Sequence, residues 1–235
     1  MDIKIDLLTL DQILAQVHRF VDSKTPHQIC TVNTEFVMEA RHNPLFKATL
    51  NSADISVADG AGIVLAAKLL HQPIPSRITG VDLTQFIAKM AAEQGFSIFL
   101  LGGRNGVAQK VADLWTTEHP TLKIAGVYEG SPDDPEVIPT ILRHQPSILL
   151  IAWGAPKQDI WIHQHKNELN VPVMMGVGGT FDYLAGVKKR PPLAWRNAGF
   201  EWLWRLVHEP KRFKRQLALP KMFILILWMR LTNQK

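Results

Sequence analysis

Residues 148–180 read ILLIAWGAPKQDIWIHQHKNELNVPVMMGVGGT, and this stretch decides the fold. An unbroken apolar run at 148–153 meets the turn Gly154-Ala155-Pro156-Lys157-Gln158. A helical pattern at 158–169 follows, then a second apolar run at 171–177 that closes on Gly176-Val177-Gly178-Gly179-Thr180. A half-exposed strand alternates apolar and polar residues, whereas a run apolar at every position must be covered on both faces. Two such runs joined through a helix predict parallel strands with helices packed against them.

Working outward, the same alternation recurs toward the N-terminus. Further apolar runs lie at 28–32, 55–58, 96–101 and 122–127, and helical patterns at 36–49, 63–70, 83–94, 107–118 and 135–144. The reading is an α/β protein: a parallel, Rossmann-like sheet with helices on both faces, followed by a basic helical C-terminal appendage. The expected division is a body over 1–195 and an appendage over 196–235. No internal repeat or low-complexity segment interrupts it.

Composition removes several classes. The chain has 235 residues, 46% of them hydrophobic and 20% charged, which excludes disorder and collagen-like repeats. Its single cysteine, Cys30, can form neither an internal disulfide nor a thiolate metal cluster, so a reducing cytoplasm is expected. The opening MDIKIDLLTLDQ mixes acids among apolar residues and reads as no secretory signal.

Charge is unevenly placed. Residues 188–235 carry twelve Lys or Arg against Glu201 and Glu209, a formal +10, and the first 187 carry fourteen basic and nineteen acidic residues, a formal −5. A basic tail on an acidic body predicts a polyanionic partner. The tail also holds Trp195, Trp202, Trp204, Trp228 and the run MFILILWM at 222–229. Eight apolar residues cannot cross a bilayer, which takes roughly 20, but Trp and cations around a short apolar patch suit an anionic membrane surface. A terminal helix packed on the body is the alternative.

In open parallel sheets, ligands bind beyond the carboxyl ends of the strands. The residues found there are Thr31, Asn33 and Thr34; Asp59-Gly60-Ala61-Gly62; Gly102-Gly103-Arg104-Asn105-Gly106; and the two turns quoted above. Glycines at such turns let backbone amides approach a phosphate, which makes Gly102, Gly103, Gly178 and Gly179 candidate ligand-binding positions. The Gly102–Gly106 turn with Glu129 after the next strand also admits a second reading, an NAD(P)-dependent oxidoreductase, although a full G-x-G-x-x-G is missing. Asp59, between small residues at a strand end, is accessible enough for a general base; capping the next helix is its structural alternative. His163 and His165, two apart, share no helix face, and no Asp-x-Asp pair is present, so neither a metal site nor a cofactor is expected. A nucleic-acid-binding module, the third class, has only the tail charge in its favour.

The segments TVNTEFV, VADGAGIV, RITGVDL, FLLGG, GAPKQD, GVGGTFDYLAGVKKRPP and GFEWLWRLVHEPKR together resemble the WecG/TagA/CpsF family of bacterial glycosyltransferases, over about 31–215. The resemblance implies transfer of an N-acetylmannosamine-like sugar from a UDP donor to a polyprenyl-diphosphate-linked sugar, peripherally at the cytoplasmic face of the membrane, by an inverting and metal-independent reaction. It implies Asp59 as base, Thr31 and Asn33 beside it, and Arg77 and Gln158 as further polar pocket positions. Arg205, Arg212 and Arg215 would meet the charge on the leaving diphosphate. Their spacing fits one helical face, with Pro210 expected to kink or end the helix before Arg212.

Overall fold

The computed structural model describes residues 2–72, 74–75, 77–208 and 213–231. In chain order the elements are α1 (Leu10–Ser23), β1 (His27–Val32), α2 (Thr34–Ala40), α3 (Pro44–Ser52), β2 (Ile55–Ala58), α4 (Ala61–Leu69), α5 (Gly80–Gln94), β3 (Ser97–Gly102), α6 (Val107–Glu118) and β4 (Lys123–Tyr128). Then come α7 (Val137–His144), β5 (Ile148–Ala152), α8 (Lys157–Leu169), β6 (Val173–Gly176), α9 (Thr180–Leu184), α10 (Leu193–Asn197), α11 (Glu201–His208), α12 (Phe213–Gln216) and α13 (Ala218–Leu231). The six strands form one sheet in the order β2-β1-β6-β5-β3-β4, and every pairing is parallel. The expected α/β architecture is therefore the observed one.

Alternation along each strand divides the core between the two faces. On β5, Ile148 and Leu150 point into the cluster formed with α1, α5 and α6, while Leu149 and Ile151 point into the cluster under α7 and α8. A third cluster, under α2, α3 and α4, covers the β1 and β2 end of the sheet. Of the two edge strands, β4 is largely half-exposed, whereas β2 is buried.

Two helical expectations change. The single helix at 36–49 is two, because Asn43 accepts the Phe46 N–H (3.0 Å) as an N-cap and Pro44, lacking an N–H, starts a new helix. Helix α1 was not foreseen. Thr9 and Gln12 form a reciprocal capping box there, and Ile13, Val17 and Phe20 bury one face against the sheet.

The apolar run at 222–229 falls in α13, and no described helix is long and apolar enough to cross a membrane. Met222 and Ile226, one turn apart, are buried against Phe36, Val37, Ile63 and Ala66. Ile224, Leu227 and Trp228 lie exposed on the helix's other side. The helix is thus apolar all round, docked by one face and open on the other.

Docking of that kind has a measurable signature. Ile226→Ala should cost about 2–4 kcal/mol of stability in urea unfolding. A loss below about 0.5 kcal/mol, ordinary for an exposed position, would mean that α13 is not packed on the body.

Candidate active site

A cavity of about 440 Å³ opens at the carboxyl ends of β1, β2, β5 and β6. Thr31 and Asn33 enter it from the end of β1, and Asp59 from the residue after β2. The Asp59 N–H donates to the Val32 carbonyl (2.8 Å), extending the β1–β2 pairing by one residue and fixing where the carboxylate leaves the sheet. Opposite stands the first turn of α5. A Cβ placed on Gly80 would lie 3.4 Å from Thr31 Oγ1 and 3.6 Å from Asp59 Oδ2, so both oxygens converge on the helix's amino-terminal end. Asn33 caps α2 by accepting the Phe36 N–H through Oδ1 (3.1 Å), which leaves donor capacity for a ligand.

Gln158 acts as a brace between two turns. Its Oε1 accepts the Gly154 N–H (2.9 Å) and the Gly178 N–H (3.0 Å), so one buried side chain sets the spacing of the β5–α8 and β6–α9 connections. Gly176 makes room for it, since a Cβ there would sit 2.5 Å from Gln158 Nε2. Gly178 and Gly179 both line the cavity, and Gly178 adopts φ +53°, which glycine accepts without strain.

Other anticipated residues lie elsewhere. Gly102 and Gly103 are not in the lining. Their turn is packed beneath Trp153, with a Cβ on Gly102 only 2.7 Å from Trp153 Cδ1. The Gly106 N–H at the start of α6 donates to Glu129 Oε1 (2.6 Å), so a protein carboxylate already sits where a cofactor phosphate would dock. That contact removes the geometric basis of the dinucleotide reading. Arg77 also stands outside the cavity, paired with Glu201 (2.8 Å) and donating to the Arg196 carbonyl (2.7 Å). Arg215 reaches the wall from α12. Arg205 lies on α11, its side chain, like the whole of Arg212, outside the described part of the structure.

Sequence reading missed part of the wall. Glu35, Glu39 and His42 line one side; their i, i+4, i+7 spacing on and just beyond α2 was a legible signal for a shared face. Lys221, from the first turn of α13, adds a cation near Arg215, a placement no local pattern announces because α12 and α13 are separate helices. Among the described residues, no three His, Cys, Asp or Glu are grouped to hold a metal ion.

Beneath Gln158, Asp159 is fully buried beside Cys30. Burial pushes its carboxyl, neither of whose oxygens has a hydrogen-bond partner, up to about 7. The same burial, reinforced by the Asp159 charge, raises the Cys30 thiol well above its ordinary range.

The sequence model of the glycosyl transferase WecG/TagA/CpsF family matches residues 1–235. An N-acetylglucosaminyldiphosphoundecaprenol N-acetyl-beta-D-mannosaminyltransferase of Bacillus spizizenii is 33% identical over 203 residues, covering 86% of this chain and 79% of the relative. One of the same name from Staphylococcus aureus is 32% identical over 228 residues, covering 92% and 89%.

The raised Asp159 value carries a sign. The folded state holds a proton that the unfolded state has released, so stability falls as pH rises from about 4 to about 7 and levels off above that. Between about pH 6 and pH 8.5 the wild type should lose roughly 1 kcal/mol that Asp159→Asn, a neutral isostere, retains. Thermal melts at the two pH values check this. Equal losses in both proteins would show that Asp159 is not the buried titrating acid.

Proposed function

Since this chain belongs to the glycosyl transferase WecG/TagA/CpsF family and is a glycosyltransferase, we propose that its cavity takes UDP-N-acetylmannosamine or a close analogue as donor and polyprenyl-diphosphate-linked N-acetylglucosamine as acceptor. The observation that carries the reading is one cavity lined both by a carboxylate from the sheet edge and by cations from the appendage: Asp59 beside Thr31, with Arg215 and Lys221 in the same wall.

That combination suits an inverting displacement. The acceptor hydroxyl oxygen attacks the anomeric carbon, its proton passes to the Asp59 carboxylate, and the bond from that carbon to the UDP oxygen breaks on the opposite face. Charge builds on the departing diphosphate. Guanidinium forks match phosphate oxygens in pairs, so Arg215 and Lys221 from the cavity wall, with Arg205 and Arg212 proposed from the same appendage, would meet it without a divalent ion. Thr31, the Asn33 amide and the glycine turns at Gly178 and Gly179 supply donors for the sugar and phosphates. The Gln158 brace holds those turns at a fixed spacing.

The appendage brings this chemistry to its lipid-linked substrate. We divide the chain at about residue 195, into a catalytic body and an appendage whose last helix is docked by Met222 and Ile226. Its outer face, Ile224, Leu227 and Trp228, meets the membrane from the cytoplasmic side, and the surrounding Lys and Arg meet anionic lipid. Lipid and diphosphate thus account for the tail's charge without nucleic acid.

Two measurements test the reading. Asp59→Asn should lower turnover about 10²–10⁴-fold while UDP affinity stays within a few-fold, because the amide keeps the shape but cannot take the proton. Near-normal turnover in the folded variant would end Asp59's candidacy. Replacing Ile224, Leu227 and Trp228 with Ser should weaken binding to anionic vesicles and spare transfer to a short, water-soluble acceptor. Unchanged vesicle binding would refute the membrane role of that face.

A further inference from the structure

Arg77 is the anticipated site residue that the structure puts in an unexpected place. Its Nη2 pairs with Glu201 Oε1 (2.8 Å) and its Nη1 donates to the Arg196 carbonyl (2.7 Å), joining the segment before α5 to α10 and α11 across 119 residues of sequence. The pair is well shielded, with side-chain exposure of 20% for Arg77 and 14% for Glu201. A second set of contacts lies one turn further along. Asp82, in the first turn of α5, accepts from the Thr79 hydroxyl (2.6 Å) and from Arg190, and Arg196 Nη1 stands 3.9 Å from the same carboxylate. Burial would raise the Asp82 carboxyl, but the bonds from Thr79 and Arg190 and the charges of Arg190 and Arg196 outweigh it and hold it below the usual range. Thr79 and Gly80, which this network fixes, line the cavity opposite Asp59.

We propose that Arg77 and Glu201 are positioning residues: their ion pair, with the Arg77 bond to the Arg196 carbonyl, clamps α10 and α11 onto the amino-terminal end of α5 and so sets where the appendage's cations meet the leaving diphosphate. The proposal rests on the transfer reaction proposed above, and it gives Arg77 a different role from the pocket position that the family resemblance implies. The physical basis is the cost of uncovering a shielded charge. Removing one partner of such a pair leaves the other desolvated and alone, whereas exchanging both restores the attraction. A residue that touches substrate would gain nothing from the exchange.

The test is charge reversal with the full-length chain: Arg77→Glu, Glu201→Arg and the double variant. Hydrogen exchange of the α11 amides, measured against those of β3 and β5, needs no substrate. Turnover and KM with a short-chain polyprenyl-diphosphate N-acetylglucosamine, and calorimetric UDP affinity, report the site. Each single reversal should speed α11 exchange by about tenfold or more and lower kcat by about tenfold, with UDP affinity within about threefold; the double variant, which restores the ion pair but not the donor to the Arg196 carbonyl, should recover a clear part of both losses. A double variant no better than the worse single variant in both exchange and kcat would overturn the clamp and leave Arg77 as a substrate contact. Single variants with unchanged α11 exchange would overturn it equally. Should the double variant not fold, Glu201→Gln, which keeps the shape and removes the charge, should still loosen α11, and protection equal to wild type would sink the idea. If the wild type transfers no sugar to this acceptor, the proposed reaction fails while the exchange measurements still decide the clamp.

Discussion

Parallel pairing of all six strands forces their carboxyl ends to one edge of the sheet, and with both faces buried that edge is where the turns and their side chains can reach a ligand. The rest of the molecule follows from this. Continuous apolar strands are needed because helices cover both faces, and small residues at the turns let chain, helix ends and ligand come close. Thr31 at the end of β1, Asp59 after β2, Gln158 in the first turn of α8 and Gly178 after β6 are far apart in the chain, yet they share a cavity because these ends share an edge.

Much of this was legible in the sequence, since the strands read as apolar runs and differ from their expected limits by only one or two residues. What was not legible depends on partners distant in the chain. Five strand-end segments looked alike, but β3 is separated from β6 by β5, so the Gly102–Gly106 turn lies away from the cavity and Glu129 closes it. Local sequence does not give strand order. Arg77 illustrates the same limit: its motif suggested a pocket, and its partner is Glu201 in the appendage. Helix α1 and the α2–α3 break are different failures, because Thr9-x-x-Gln12 and Asn43-Pro44 were readable stop and start signals.

The appendage settles one of two sequence alternatives. The apolar run at 222–229 was open to being a packed helix or a membrane-seeking one; α13 is packed by one face, and its exposed apolar face is the one proposed to meet the membrane. Because Lys221 and Ala218 in its first turn line the cavity, the element proposed to meet the lipid is also part of the wall around the reacting groups. Under the proposed function, a lipid-linked acceptor would bring its diphosphate to the cations while its chain stays at the membrane surface, in keeping with the basic and apolar residues of the same stretch.

The central claim is that this cavity joins a nucleotide-bound sugar to a lipid-linked one. Its most direct test is mass spectrometry of a short-chain polyprenyl-diphosphate N-acetylglucosamine incubated with the purified full-length protein and UDP-N-acetylmannosamine. The account predicts a lipid heavier by one N-acetylhexosamine, with one UDP released for each lipid converted. An unchanged lipid, or UDP released at the same rate when no acceptor is present, would contradict it.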